Sequence, residues 1–119
     1  MGALTEQRDW SCLVGRELLS FGIGANELIF YLDADTRINV ESPVILLGVG
    51  EQAVVIDDPR NADHRLFRLI GACVERVELM SDLMLDVILS SGATIRLAGS
   101  GGEYESFHIS WPGGQIVVW

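Results

Sequence analysis

The stretch LIGACVERVELMSDLMLDVILSSGATIRL, Leu69 to Leu97, indicates the fold, because the chain contains a similar stretch earlier. The earlier one is LVGRELLSFGIGANELIFYLDADTRINV, Leu13 to Val40. Each begins with Leu, an aliphatic residue and Gly, and continues through two apolar runs divided by a polar turn. Each ends on an alternating aliphatic run. Two such stretches in one chain predict that it is built from two similar halves.

The similarity extends to the ends of both halves. Glu41-Ser42 is similar to Glu105-Ser106, and the run from Gln52 to Val55 is similar to the run from Gln115 to Val118. We therefore predict a single domain of residues 1–119, in which residues 1–57 and 58–119 are an internal repeat. The alternative is chance similarity among short strands. Two copies are too few for a solenoid, which needs three or more.

Apolar and polar residues alternate in most of the apolar runs, which is typical of strands with one buried face. The predicted strands are Glu17–Ile23, Leu28–Leu32, Arg37–Glu41, Val44–Leu47, Ala53–Ile56, Cys73–Leu79, Met84–Leu89, Thr94–Leu97, Glu105–Trp111 and Gln115–Trp119. Two short helices are also predicted. One covers residues 1–14, with Thr5 as its N-cap, and the other begins at Asp58 or Asn61 and ends at Gly71.

The predicted fold class is therefore mainly β, a β-rich α+β fold. Each of the two similar halves contributes a short helix and antiparallel strands. We expect an approximate two-fold relation between the halves. Either a closed barrel or an assembly of two sheets would suit this pattern, because closure removes exposed strand edges.

The charge of the chain is strongly one-sided. It has 17 acidic residues against 8 basic ones, all of them Arg, and a net charge of −9. Such a chain repels phosphate backbones, so nucleic acids and anionic membranes are not expected partners. No apolar run approaches the roughly 18–20 residues that span a bilayer, and the N-terminus lacks the pattern of a signal peptide. We expect a cytoplasmic protein in which Cys12 and Cys73 are buried thiols rather than a disulfide.

The candidate partner-binding residues are acidic. They are Glu75, Glu78, Asp82 and Asp86 on the second-half hairpin, and Glu103 and Glu105 near the glycine-rich stretch 99–102. Glu78 and Asp86 flank the hairpin turn and can lie close across its strands, where like charges cost about 0.2–1 kcal/mol per pair. A basic partner would offset that cost. The alternative is a solvated strand face that Arg76 partly neutralises.

No catalytic, cofactor-binding or metal-binding residues are predicted. His108 shares a strand face with Ser110, but a nucleophile needs a base oriented by a third group, and no such group is present. The pattern Asp33-x-Asp35 lacks the later Gly and Glu of a calcium loop. The glycine-rich stretch 99–102 lacks the Lys of a phosphate-binding loop. Zinc-binding spacings such as Cys-x-x-Cys are absent from the sequence.

Three sequence motifs resemble those of a family of small uncharacterised bacterial domains. They are Leu-Val-Gly-x-x-Leu at 13–18, Pro-Arg-Asn-Ala-Asp at 59–63 before a second Leu-Ile-Gly, and the ending from Glu105 to Trp119. Some members of that family look like immunity partners of bacterial toxins. The resemblance covers most of the chain and implies no catalytic residues.

Three functions are compatible with the sequence. The first is a non-enzymatic acidic binding protein, an immunity-type inhibitor of a basic toxin such as a nuclease. The second is a structural module that forms homo-oligomers, with Trp111 and Trp119 in the subunit interface. The third is a small enzyme, which a pocket lined by His108 and carboxylates would favour.

Overall fold

A computed structural model describes residues 10–41, 43–99 and 106–118 of the chain, and these residues are mainly β. Their strands are β1 (Leu18–Ile23), β2 (Leu28–Leu32), β3 (Thr36–Val40), β4 (Val44–Leu47), β5 (Val54–Ile56), β6 (Val74–Ser81), β7 (Met84–Leu89), β8 (Thr94–Ala98), β9 (Phe107–Trp111) and β10 (Gly114–Val118). Each overlaps one run that the alternation of apolar residues predicts. The prediction of a mainly β fold is therefore confirmed.

The strands form two antiparallel sheets of five strands each. The first sheet has the order β1-β2-β3-β9-β10 and the second the order β5-β4-β8-β7-β6. Among the described strands, the edge strands are β1 and β10 in the first sheet and β5 and β6 in the second. Of the two predicted arrangements, the closed barrel is wrong and the assembly of two sheets is correct.

The two sheets have the same strand order when the strands β1 to β5 are exchanged, one for one, with the strands β6 to β10. The order β1-β2-β3-β9-β10 then becomes β6-β7-β8-β4-β5. Each half of the chain thus gives three strands to one sheet and a two-stranded hairpin to the other. Both sheets are completed by the opposite half.

Residues 15–18 of the first half pair with residues 71–74 of the second half, and their hydrogen bonds are reciprocal. The Gly15 N–H donates to the Val74 carbonyl at 2.8 Å, and the Gly71 N–H donates to the Leu18 carbonyl, also at 2.8 Å. In the same segments, the Leu18 N–H donates to the Ala72 carbonyl at 2.9 Å and the Val74 N–H donates to the Arg16 carbonyl at 2.8 Å. Glu17 and Cys73 form an isolated antiparallel bridge between them. Gly15 and Gly71 both have positive φ, +87° and +93°.

One hydrophobic core lies against both sheets, since every second side chain of a strand points inward. Its largest fully buried members include Phe30, Phe107, Ile38, Leu46, Leu85 and Ile95. Leu13 and Leu69, which precede Gly15 and Gly71 in the two halves, are both completely buried in this core. The segments that connect the sheets therefore contribute to the same core as the strands.

Neither predicted helix is present as an α-helix in the described residues. Residues 1–9 of the first lie outside them, and residues 11–15 form turns. In place of the second are two 3₁₀ helices, Pro59–Asn61 and His64–Leu69. Asp63 caps the longer one and has extended backbone angles, so it interrupts the helix after Ala62. The buried residues Leu66 and Leu69 are three apart, the spacing that a 3₁₀ turn places on one side.

Cys12 and Cys73 are free thiols, and each is half-buried. No helix within residues 10–41, 43–99 and 106–118 has both the length and the apolar character needed to cross a membrane.

Candidate functional site

The acidic hairpin formed by β6 and β7 carries four of the predicted partner-binding residues. Glu78 lies directly opposite Asp86 in the strand register, as the sequence predicts. Asp82 is exposed in the turn that joins the strands, and Glu75 is exposed near the start of β6. The other two candidates, Glu103 and Glu105, lie outside the described residues.

Asp86 is only 5% exposed and belongs to an internal ion pair. Its two carboxylate oxygens accept hydrogen bonds from Arg96 Nε at 2.8 Å and from Arg96 Nη2 at 2.9 Å. Arg96 lies directly opposite it on β8. These hydrogen bonds raise the pKa of the Arg96 guanidinium above its usual value. The carboxylate of Asp86 is therefore occupied by Arg96 and is shielded from an external partner.

Glu75 and Glu78 remain on the surface, where both contact Arg76. Arg76 Nη1 lies 3.3 Å from Glu75 Oε1, and Arg76 Nε donates to Glu78 Oε2 at 2.8 Å. This hydrogen bond to Glu78 raises the pKa of the Arg76 guanidinium. All three side chains stay about half exposed, at 57%, 47% and 57% for Glu75, Glu78 and Arg76. Together with Asp82, the exposed acidic residues of the hairpin outnumber its exposed basic one.

The corresponding positions in the first half are not acidic. In the matching register of the first sheet, Gly22 takes the place of Glu78 and Ile29 takes the place of Asp86. Asn39 takes the place of Arg96. Since the strand orders of the two sheets correspond, the fold itself does not require carboxylates at these places.

A groove at one end of the first sheet was not predicted from the sequence. It has a volume of about 540 Å³ and lies between two hairpin turns, one joining β2 to β3 and the other joining β9 to β10. Residues that line it include Tyr31, Asp35, Arg37, Ser110, Trp111 and Pro112. Arg37 and Ser110 form the last pair of the β3–β9 ladder, so the groove begins where the pairing of these strands ends.

Arg37 differs from most arginines of the described chain. Five others lie within 4.0 Å of a carboxylate: Arg16 with Asp33, Arg60 with Asp58, Arg65 with Asp63, Arg76 with Glu75 and Glu78, and Arg96 with Asp86. Arg68 donates to the Val49 carbonyl at 2.7 Å. Within the described residues, Arg37 has neither an ion pair nor a side-chain hydrogen bond, and it is exposed.

Two aromatic rings of the groove pack on glycines. A Cβ atom at Gly22 would lie 3.2 Å from Tyr31 Cε2, and one at Gly113 would lie 2.9 Å from Trp111 Nε1. The absence of a side chain therefore lets each ring lie close to the backbone. In the sequence, Trp111 continues the core-facing alternation of Phe107 and Ile109. That pattern predicts a buried side chain, so the position of Trp111 at the groove could not be predicted.

Two further clefts are lined by residues that give weaker evidence of a binding site. One adjoins the groove and is lined by residues that include Cys12, Ala34 and Trp111. The other contains Glu41, Asp57 and Asp58, but Arg60 already binds Asp58. His108 lines none of the three clefts. Among the described residues, no three His, Cys, Asp or Glu side chains come together as ligands for a metal ion.

Comparison with protein-family models, with curated proteins and with solved structures found no match to this chain. The resemblance to small bacterial domains with immunity-like members therefore stays a hypothesis.

Proposed function

We propose that this chain is a non-enzymatic binding protein, an immunity-type inhibitor that recognises a basic bacterial toxin through its acidic hairpin. The observation that carries the proposal is the charge of that hairpin. Glu75, Glu78 and Asp82 are exposed on it, with Arg76 as the one described cation among them. A basic surface facing this hairpin would meet more negative than positive charge.

The rest of the molecule supports the same kind of partner. The chain carries a net charge of −9, and five of its arginines are already bound to neighbouring carboxylates. Little free positive charge is left to repel a basic protein. A negative field of this kind speeds encounter with an oppositely charged partner and weakens as salt is added. A cytoplasmic location is part of this proposal.

Titration calorimetry with the purified product of the adjacent gene tests the proposal. The hairpin variant Glu78→Gln/Asp82→Asn should bind more weakly than the wild type. The control Glu51→Gln/Asp57→Asn removes the same charge from exposed positions outside the hairpin and should bind nearly as well as the wild type. Absence of binding at low salt, or equal losses in the two variants, would contradict the proposal.

A second candidate function is that of a module that forms homo-oligomers, and the edge strand β1 favours it. No residue from Leu18 to Ile23 is charged. Leu19 and Ile23 are 49% and 51% exposed, and Phe67 of the longer 3₁₀ helix is 66% exposed. The rings of Phe21 and Phe67 lie 5.2 Å apart. An uncharged apolar edge is a template for pairing with another strand.

Two of the other three edge strands are better protected than β1. β6 carries charged residues and irregularities in its register, and β5 has only three residues. Trp111, expected at an interface, is half-buried and packs on its own turn, while Trp119 lies outside the described residues. Sedimentation over a range of concentrations tests the candidate. Self-association that Leu19→Lys abolishes would support it, and a monomer at every concentration would exclude it.

We also infer that the two halves arose by duplication and are related by an approximate two-fold axis. The matching strand orders support this, as do the reciprocal hydrogen bonds of Gly15 and Gly71. The positions in which the halves differ are then the ones most informative about function.

A further inference from the structure

The groove of the first sheet has a closed counterpart in the second sheet. In the first sheet the ladder between β3 and β9 ends at Arg37 and Ser110, and in the second the ladder between β8 and β4 ends at Thr94 and Leu47. The next residue along the chain is Trp111 in one case and Gly48 in the other. These two residues therefore occupy equivalent places.

Gly48 brings the hairpin turns of the second sheet into contact. It has a φ of +77°, and a Cβ atom there would lie 2.7 Å from the Gly92 carbonyl oxygen. No side chain fits at this distance, so a tryptophan at the equivalent place requires the two turns to separate. The groove of the first sheet lies where Trp111 takes this place.

The groove offers hydrogen-bond donors that no described residue uses. Arg37 lines the groove, is exposed and has no carboxylate partner among the described residues, although the chain is rich in carboxylates. Its guanidinium carries five N–H donors in a planar fork that suits a carboxylate. Tyr31 lies directly opposite Arg37 on β2, and Trp111 and Pro112 form an apolar wall.

Asp35 restricts the anions that can enter. It lines the same groove and has a left-handed backbone with φ of +54°, as does its neighbour Ala34 with φ of +56°. A carboxylate at this position repels phosphates and other multiply charged groups more strongly than a single carboxylate. The groove is also open to solvent, which suits part of a chain molecule better than a small molecule that must be largely enclosed.

We propose that this groove binds an extended peptide segment through one of its carboxylates. Arg37 donates hydrogen bonds to that carboxylate, and Trp111 and Pro112 contact apolar atoms next to it. Asp35 selects against additional negative charge. The proposal does not depend on the recognition of a basic toxin, since it rests on different residues at the end of the other sheet.

A pair of blocked peptides tests this proposal by nuclear magnetic resonance of the full chain. The acidic peptide is acetyl-Ala-Glu-Leu-amide, and its neutral match is acetyl-Ala-Gln-Leu-amide. The acidic peptide should shift the signals of the Arg37 side chain and the Trp111 indole N–H in a saturable way. The neutral peptide should bind about tenfold more weakly, the effect of losing a charge-assisted hydrogen bond. Inorganic phosphate should bind more weakly than the acidic peptide.

Matched variants distinguish binding in the groove from an effect of the overall charge of the protein. Arg37→Gln should weaken binding of the acidic peptide about tenfold. Arg60→Gln removes the same charge from an exposed ion pair outside the groove and should leave binding unchanged. Trp111→Phe keeps a ring at the wall and should reduce the affinity less than Arg37→Gln. Equal binding of the two peptides, tighter binding of phosphate, or full affinity in Arg37→Gln would overturn the proposal.

Discussion

Gly15 and Gly71 are the residues at which the backbone conformation of the two halves can be compared most directly. Both have φ near +90° and no atom within 4 Å of the place where a Cβ would stand. Replacement by Ala therefore adds conformational cost without a clash, and we expect each variant to lose about 1–2 kcal/mol of unfolding free energy. Urea unfolding measures both losses. Gly24→Ala, at a glycine with ordinary φ, should cost less, and markedly unequal losses for Gly15 and Gly71 would contradict this prediction.

The ion pair of Asp86 and Arg96 should contribute more to stability than the pair of Glu78 and Arg76. The first is bidentate with Asp86 buried, whereas both partners of the second are about half exposed to solvent. Double-mutant cycles with Ala measure the coupling of each pair. We expect about 2 kcal/mol for Asp86–Arg96, the range for hydrogen bonds between charged groups. For Glu78–Arg76 we expect a much smaller coupling, because solvent screens exposed pairs.

The opposite ordering of these two coupling energies would contradict the assignment of Asp86 to the interior. The sequence indicates that Glu78 and Asp86 can lie close across the strands, because they flank the same hairpin turn, and the register places them directly opposite each other. It does not predict Arg96 as the partner of Asp86. That contact depends on the register of β7 with β8. Alternation does not fix this register, because a shift by two residues keeps every side chain on the same face of the sheet.

At the scale of the elements, the longer 3₁₀ helix depends on the N-cap Asp63. The side chain of Asp63 accepts hydrogen bonds from Arg65 Nε at 2.8 Å and from the Arg65 backbone N–H at 2.9 Å. These bonds hold the pKa of the Asp63 carboxyl well below its ordinary value of 3.8. A group with a lowered pKa in the folded state stabilises that state above its unfolded pKa, and this contribution is lost as the pH falls through the folded pKa.

Asp63→Asn should therefore destabilise the protein at neutral pH. The difference in unfolding free energy from the wild type should shrink as the pH falls below about 4. Urea unfolding at neutral and acidic pH measures this difference. Asp57→Asn removes the same charge from an exposed residue outside the capping contacts and serves as the control. A difference between Asp63→Asn and the wild type that stays constant with pH would show that the capping carboxylate does not supply the stability.

The strands were predictable from the sequence, whereas the helices and the groove were not. Alternation with a period of two identifies a strand from its own residues. The segment 58–70 has apolar residues at helical spacing, but the cap at Asp63 divides it into pieces too short for an α-helix. The groove at Trp111 depends on β9 pairing with β3 of the other half. That contact between distant parts of the chain leaves no local signal.

At the scale of the whole molecule, the exchange of hairpins joins the two halves through both sheets. The hairpin β9–β10 pairs with β3 in the first sheet, and the hairpin β4–β5 pairs with β8 in the second. Buried residues of both halves share one core. If either half unfolded alone, each sheet would lose part of its strands and the core would be exposed. We therefore expect the chain to unfold in a single cooperative transition.

Chemical denaturation followed by two probes tests this expectation. Far-ultraviolet circular dichroism reports on the strands of both sheets, and tryptophan fluorescence reports on the surroundings of residues such as Trp111. Both transitions should have the same midpoint. The core variants Leu46→Ala in the first half and Ile109→Ala in the second should each lower that midpoint for both probes together, because β4 and β9 each complete the sheet that the other half begins. A variant that shifts one probe and leaves the other unchanged would mean that the halves unfold separately despite the exchange.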